Sequence, residues 1–215
     1  MTEANETTTK KKSTRKRTTS KPKVAAKKTP AKPRQSLALN LPNNPLVFEI
    51  FDLASRQRSK AKKVEVLQKY ANMAIKALLI WNFDDSVQSA LPDGPVPYSG
   101  YNEQNVYTGT LSDKIEASTR DMYESGNFSL GSSDTTARTT LRREARNLYH
   151  FVRGGNDDLS NTRREMMFIN ILESVHPLEA EILVLVKDKK LTDKYKIPFD
   201  VVQQAYDDIR WGSRS

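Results

Sequence analysis

Apolar residues recur at helical spacing in two blocks of this chain, and a long polar stretch separates them. In the C-terminal block, placing residues at 100° per step from Arg138 gathers Leu141, Ala145, Leu148, Phe151 and Val152 on one arc, as a core-facing amphipathic helix requires. Arg138, Arg142, Arg146, Tyr149 and Arg153 fall on a second arc beside it, so the same helix would carry a basic stripe. Gly154 and Gly155 end it, because glycine takes the left-handed cap conformation without a Cβ clash. A further helix opens at Asp158 or Ser160 and carries Met166, Met167, Ile169, Asn170, Ile171 and Leu172. The next opens at His176-Pro177, with proline in its first turn and Glu179 and Glu181 near the positive end of the dipole. Its apolar residues are Leu178, Ile182, Leu183, Leu185 and Val186. Connections this short make neighbouring helices antiparallel.

In the N-terminal block, Asn44-Pro45 is a helix start, and Leu46, Val47, Ile50, Phe51 and Ala54 share one face. A second helix, from about Ser59 to Tyr70, turns Val64, Leu67 and Ala71 inward and Lys60, Lys62, Lys63 and Lys69 toward solvent. Asn72 caps a third, MAIKALLIWNF, which is apolar on most sides and therefore deep. Asp84-Asp85 begins a last short turn of helix before LPDGPVPY (Leu91 to Tyr98), whose three prolines and one glycine impose extended or turn geometry. Ser99 to Asp134 reads as a long, partly disordered surface loop with a helical fragment at Leu111 to Tyr123. Near the C-terminus a helix starts at Pro198 with Val201, Val202 and Ala205 inward, and Trp211 folds back as an anchor. The expected fold is all-α, a compact bundle of six or seven short helices. It forms one domain over 46–215, interrupted by a loop at about 91–134.

Charge changes this picture at one end. Residues 1–36 hold twelve Lys or Arg against two Glu, and this +10 exceeds the whole chain's +9, which leaves −1 on residues 37–215. The segment has too few apolar residues to offset its ordering entropy, so a disordered basic tail is expected, with 37–45 as linker. A polycation of this kind gains affinity for phosphate backbones by releasing counterions, without reading sequence. Its composition resembles the tails of linker histones and bacterial histone-like proteins. The expected nucleic-acid contacts are Lys10, Lys11, Lys12, Arg15, Lys16, Arg17, Lys21, Lys23, Lys27, Lys28, Lys32 and Arg34. The stripe Arg138, Arg142, Arg146 and Arg153 is a second candidate, joined by Arg163 and Arg164 across the Gly-Gly turn. The competing reading of the stripe is ion pairing with Asp157, Asp158 or Glu165.

Candidate chemistry adds little. With no cysteine, thiolate metal sites and cysteine nucleophiles are excluded, and His150 and His176 show no metal-ligand spacing. His176 is read as a helix-entry residue. Asp84-Asp85 and Asp157-Asp158 sit where caps are needed. Glu179, Glu181 and Lys187 lie in a helical pattern, not on the strand of a metal-dependent nuclease, and Gly154-Gly155-Asn156 lacks the rest of a phosphate loop. No serine stands in a Gly-x-Ser-x-Gly setting. The expectation is a protein without enzymatic activity, cofactor or metal. Leu178 to Lys187 followed by LTDKYKIPFDVVQQAY has the rhythm of a helix-turn-helix, but the second helix would present Asp200, Gln203, Gln204, Asp207 and Asp208, and its acids would repel phosphate. No apolar run is long enough to span a bilayer and no secretory signal is evident, so a soluble cytoplasmic protein is expected.

Several blocks carry a resemblance. IWNFD (Ile80 to Asp84), LPDGPVPY, LYHFVRGGND (Leu148 to Asp157), LSNTRREMMFINILESVHPLEAEILVLVKDKKL (Leu159 to Leu191), YKI (Tyr195 to Ile197) and Trp211-Gly212 occur in the order seen in a family of small uncharacterised proteins of contractile-tailed phages of marine cyanobacteria. The chain resembles that family over roughly 46–98 and 141–212, and the tail and the 99–140 stretch look like additions to the pattern. The family has no assigned activity, so the resemblance implies context alone: a phage protein in the cytoplasm of an infected bacterium, or one carried in the virion. The leading expectation is a non-enzymatic protein bound nonspecifically to nucleic acid, with DNA placed ahead of RNA. The alternatives are a protein-interaction module that adapts or inhibits a host or phage machine through LPDGPVPY, and a virion-associated protein contacting packaged DNA.

Overall fold

The computed structural model describes residues 41–97, 109–125 and 137–212, and the chain divides into Met1–Ser36 and Leu37–Ser215. The twelve tail cations from Lys10 to Arg34, and the disorder expected of them, lie outside the described residues. So does most of the 99–134 stretch.

The first four helices start where a side chain can take their unpaired N–H groups. Helix α1 (Val47–Arg56) begins with the Glu49 carboxylate accepting from the Leu46 N–H at 2.8 Å. Ser59 caps α2 (Lys60–Lys69) through the Lys62 N–H, and Asn72 caps α3 (Met73–Phe83) through the Ile75 N–H at 2.9 Å. In α4 (Leu111–Glu124), Thr110 and Asp113 accept from each other's N–H groups at 3.2 and 2.7 Å, a reciprocal capping box. Then follow α5 (Leu141–Glu144), a 3₁₀ helix (Ala145–Phe151), α6 (Asn161–Ser174), α7 (Pro177–Lys187), α8 (Leu191–Lys194) and α9 (Phe199–Ala205). The count among the described residues thus exceeds the six or seven expected, because α4, α8 and the split of the central helix add to it.

Helix α7 is the centre of the packing. Leu178, Ala180, Ile182, Leu183 and Val186 are buried, and α1, α3, α4 and α6 all pack against it. Helix α2 closes one side against α1 and α9. There the sequence reading needs correction, since Val66 and Leu67 are the buried pair, Ala71 is exposed and Lys63 is buried. The Lys63 ammonium donates to the carbonyls of Ser55 and Lys196, and burial, with Lys196 nearby, pushes its pKa down. Asp84 and Asp85 start no helix: Asp84 is buried, and its carboxylate accepts from Ser86 and from the Gly212 N–H. Trp211 lies edge-on to Phe199 at 4.9 Å, so the C-terminal end is fastened as the sequence reading expected.

The central helix departs most from expectation. It begins at Leu141, not Arg138, and after one turn tightens into seven residues of 3₁₀ helix. Both ends are fixed from outside. The Leu141 N–H donates to Glu179, while the Phe151 carbonyl accepts from the Ala90 N–H at 2.8 Å and the Arg153 N–H donates to the Gln88 carbonyl at 2.9 Å. A 3₁₀ helix rises about 2.0 Å per residue against about 1.5 Å in an α-helix, so the tighter winding lets the segment reach both anchors. Gly154, at φ +76°, turns the chain afterwards, and Gly155 lies so near the Tyr149 carbonyl that a Cβ there would stand 1.9 Å from its oxygen.

Candidate functional site

The change of helix type redraws the basic stripe. Three residues per turn align side chains three apart. Ala145, Leu148 and Phe151 form the inner row, with Leu148 and Phe151 buried. Glu144, Asn147 and His150 form a polar flank, in which the Asn147 amide donates to Glu144 at 2.8 Å. Arg143, Arg146 and Tyr149 form the exposed row.

The four arginines expected to act together are accordingly separated. Arg142 is half-buried and donates to the Asn44 side chain and the Pro45 carbonyl, both at 3.2 Å, which ties α5 to the start of α1. Arg153 donates through Nε to the Ser89 carbonyl at 3.3 Å. Arg138 precedes the helix, and its backbone N–H donates to the Ser174 carbonyl. Only Arg146 stays on the exposed row, where Arg143, which the α-helical reading left out, stands one turn before it. Among the described residues neither makes an ion pair, and none of the stripe pairs with Asp157, Asp158 or Glu165. Arg164 is buried, with its guanidinium donating to Asn156, Leu159 and Asn161, so it supports the turn before α6 instead of joining the stripe; Arg163 is exposed. The missed signal was present in the sequence: 143, 146 and 149 are spaced by three.

Tyr149 is half-exposed, and its ring lies on that of His150 with centroids 3.9 Å apart. His150 Nδ1 is 2.9 Å from the Asn156 amide nitrogen, a contact that holds the ring in place. The row is thus two cations, with no ion-pair partner among the described residues, and an aromatic plane, carried on α5 and the 3₁₀ helix.

Beside it opens a cleft of about 270 Å³ lined by Asn44, Pro45, Leu46, Thr140, Arg142, Arg143 and Glu179. Glu179, fully buried, lies in the first turn of α7 and accepts from the Val47 N–H at 2.9 Å and the Leu141 N–H at 2.8 Å. One carboxylate therefore meets the positive ends of three helices, α1, α5 and α7. Its charge answers the protein's own dipoles.

Two other clusters hold the fold. At the meeting of α1, α4, α7 and α8, Lys194 pairs with Glu181 and lies over the rings of Tyr123 and Tyr195 at 5.5 and 5.9 Å, while Arg56 pairs with Asp52 at 2.7 Å. Burial raises the Asp52 pKa against the pull of Arg56, and burial with the nearby carboxylates of Asp52 and Glu181 pushes the Tyr123 hydroxyl up to about 12. The proline segment is also fixed. Buried Lys187 donates to the carbonyls of Pro92 and Gly94 at 2.8 and 3.0 Å and pairs with Asp188, while Pro92, Pro95 and Pro97 remain exposed. The helix-turn-helix rhythm leads to no such motif, because α9 packs on α2, with Asp200 paired to Lys60 and Asp208 to Lys76. Among the described residues no group of three His, Asp or Glu could hold a metal ion, and no helix is long and apolar enough to cross a membrane.

A model of a family of unknown function, DUF6433, matches residues 50–135 and 131–193, well over half of the chain. The chain belongs to that family. No curated protein and no solved structure matches it. The DUF6433 match spans the 99–135 stretch. Residues 1–36, with their net charge of +10, lie outside the match.

Proposed function

We propose that this protein associates with nucleic acid through electrostatic, sequence-independent contacts and catalyses no reaction on it. The observation that carries the reading is the segregation of charge: residues 1–36 hold net +10 while the rest of the chain sums to −1. A polycation exchanges condensed counterions for its own cations, and the gain in affinity comes from their release. On the body, the row of Arg143, Arg146 and Tyr149 supports the same reading, since its two cations have no acidic partner among the described residues. DNA is the expected ligand ahead of RNA. The context we infer, from the ordered sequence blocks, is a phage protein in the cytoplasm of an infected bacterium.

The test is a salt series on duplex DNA and RNA with the full chain and with a chain beginning at Leu37, which retains the whole packed core. Each phosphate contact adds about −0.9 to the slope of log affinity against log salt on a duplex. The full chain should show a steep slope, and the shortened one should lose most of it. Absence of binding at about 50 mM salt, where such contacts are strongest, overturns the reading.

One observation favours a second reading, a protein-interaction module. Lys187 fixes the backbone of the proline segment while Pro92, Pro95 and Pro97 face solvent, so a partner docking there orders little that is not already ordered. A single partner captured by the shortened chain and lost on replacing Pro95 and Pro97 with Ala would support it. A virion-associated role would show instead as the protein's presence in purified particles.

A further inference from the structure

We propose that the exposed row running from α5 onto the 3₁₀ helix is a contact for single-stranded nucleic acid, in which Tyr149 stacks on an unpaired base and Arg146, with Arg143 before it, takes the phosphates beside it. The proposal rests on the nucleic-acid reading above and names the form of ligand that the body, as distinct from the tail, selects.

Three observations point the same way. Tyr149 is 50% exposed, yet its ring is already positioned, because it lies on His150 and His150 is in turn fixed by Asn156. An aromatic face held in this way loses little freedom when a base covers it. The cations stand in register with it. Side chains three residues apart eclipse in a 3₁₀ helix, at about 6 Å per turn, so Arg146 is one turn from the ring, while Arg143 stands in the preceding α-helical turn, α5. That interval suits successive phosphates of an extended strand. Finally, the geometry discriminates against a duplex. Base faces in a duplex are covered by their neighbours, so the ring would have no base to stack on, and two arginines would reach phosphate alone. Base stacking on an aromatic ring tolerates any base, so no sequence preference is expected.

The experiment uses the full chain and its variants Tyr149→Ala, Tyr149→Phe and Arg146→Ala, with a labelled oligothymidine and a random-sequence duplex of equal length at one salt concentration. Tyr149→Ala should weaken oligothymidine binding about 5- to 160-fold, the range of one lost stacked base, and leave duplex binding unchanged. Tyr149→Phe, which keeps the ring, should bind like the parent. Arg146→Ala should weaken oligothymidine binding and lower its salt slope by about 0.7, the share of one phosphate on a single strand. Equal losses on both ligands, or a loss under twofold with Tyr149→Ala, would overturn the proposal while leaving tail-driven binding standing. A parent chain that binds neither ligand would remove both readings. Coincident thermal melts of all variants establish that the fold is retained, as expected for an exposed side chain.

Discussion

Around Glu179 a buried carboxylate answers the N–H groups of two helix starts, with only the Nε of neighbouring Arg142 left without a partner, whereas beside Tyr149 two arginines have no acidic partner among the described residues. Arg142 and Arg146 stand one α-helical turn apart in sequence, and both have the composition of a surface contact. Arg142 is committed to Asn44 and Pro45, beside a carboxylate that holds two helix starts together. Arg146 has no acidic partner among the described residues. The difference teaches where to look for function in a helical body whose own charge is near zero: at the cations that the architecture leaves over, since most of the others are structural.

The sharpest way to break the comparison is Glu179→Ala. It strips the acceptor from the Val47 and Leu141 N–H groups, and each buried donor left unpaired costs about 1–3 kcal/mol, so a loss of about 2–6 kcal/mol is expected in urea unfolding. Glu179→Gln keeps one acceptor oxygen and should fall between. A change under about 1 kcal/mol for the alanine variant would mean that the hub is not structural. Next comes Lys187→Met, which removes charge-assisted bonds to two carbonyls of the proline segment. A loss of about 1.5–3 kcal/mol is expected, with faster proteolysis between Leu91 and Pro97. Gly155→Ala forces a Cβ against the Tyr149 carbonyl and should cost about 1–3 kcal/mol. Because it shifts the end of the 3₁₀ helix, it should also weaken oligothymidine binding, which links the two regions in one measurement.

Acidification gives a smaller effect with a definite sign. The carboxyls of Asp113, Asp200 and Asp208 lie below their ordinary value, held there by the Thr110 N–H and hydroxyl, by Lys60 and by Lys76 respectively. A carboxyl lowered in the folded state contributes stability above its unfolded pKa and loses it as pH falls through the folded one. Asp52, raised by burial, acts the other way and gains as it protonates. The three lowered carboxyls should lower the urea midpoint between about pH 5 and about pH 3, and Asp52→Asn, which removes the opposing group, should make that fall steeper. The smallest expected effect on stability belongs to the double variant Arg143→Ala/Arg146→Ala, within about 0.5 kcal/mol of the parent. Its oligothymidine binding should nevertheless weaken and lose about 1.4 of its salt slope, and this opposition of small structural and large ligand effects is what separates the row from the hub.

Much of the fold was legible because its signals are local. Asn72 followed by eleven largely apolar residues fixes α3 at both ends, and His176-Pro177 does the same for the start of α7, where the imidazole accepts from the Leu178 N–H at 3.2 Å. The 3₁₀ helix was misread because Leu141, Ala145, Leu148 and Phe151 satisfy a 3.6-residue period, while the last three satisfy a period of 3.0 as well. What decides between them is distant: Glu179 at one end and Ala90 at the other. The stripe inherited that error, so Arg153 was grouped with Arg146 and Arg143 was omitted. Arg164 and Lys63 were taken as surface cations because composition favours exposure for both. Their burial depends on backbone carbonyls that only the folded loops present.

The Glu179 contact also sets an order of events. The acceptor of the Val47 N–H lies 132 residues further along the chain. At about 5–20 residues per second on a ribosome, roughly 7 to 26 seconds separate the synthesis of α1 from that of its acceptor. During that interval the first helix of the body is without the carboxylate that completes its start. Native assembly of this domain therefore waits on the arrival of α7.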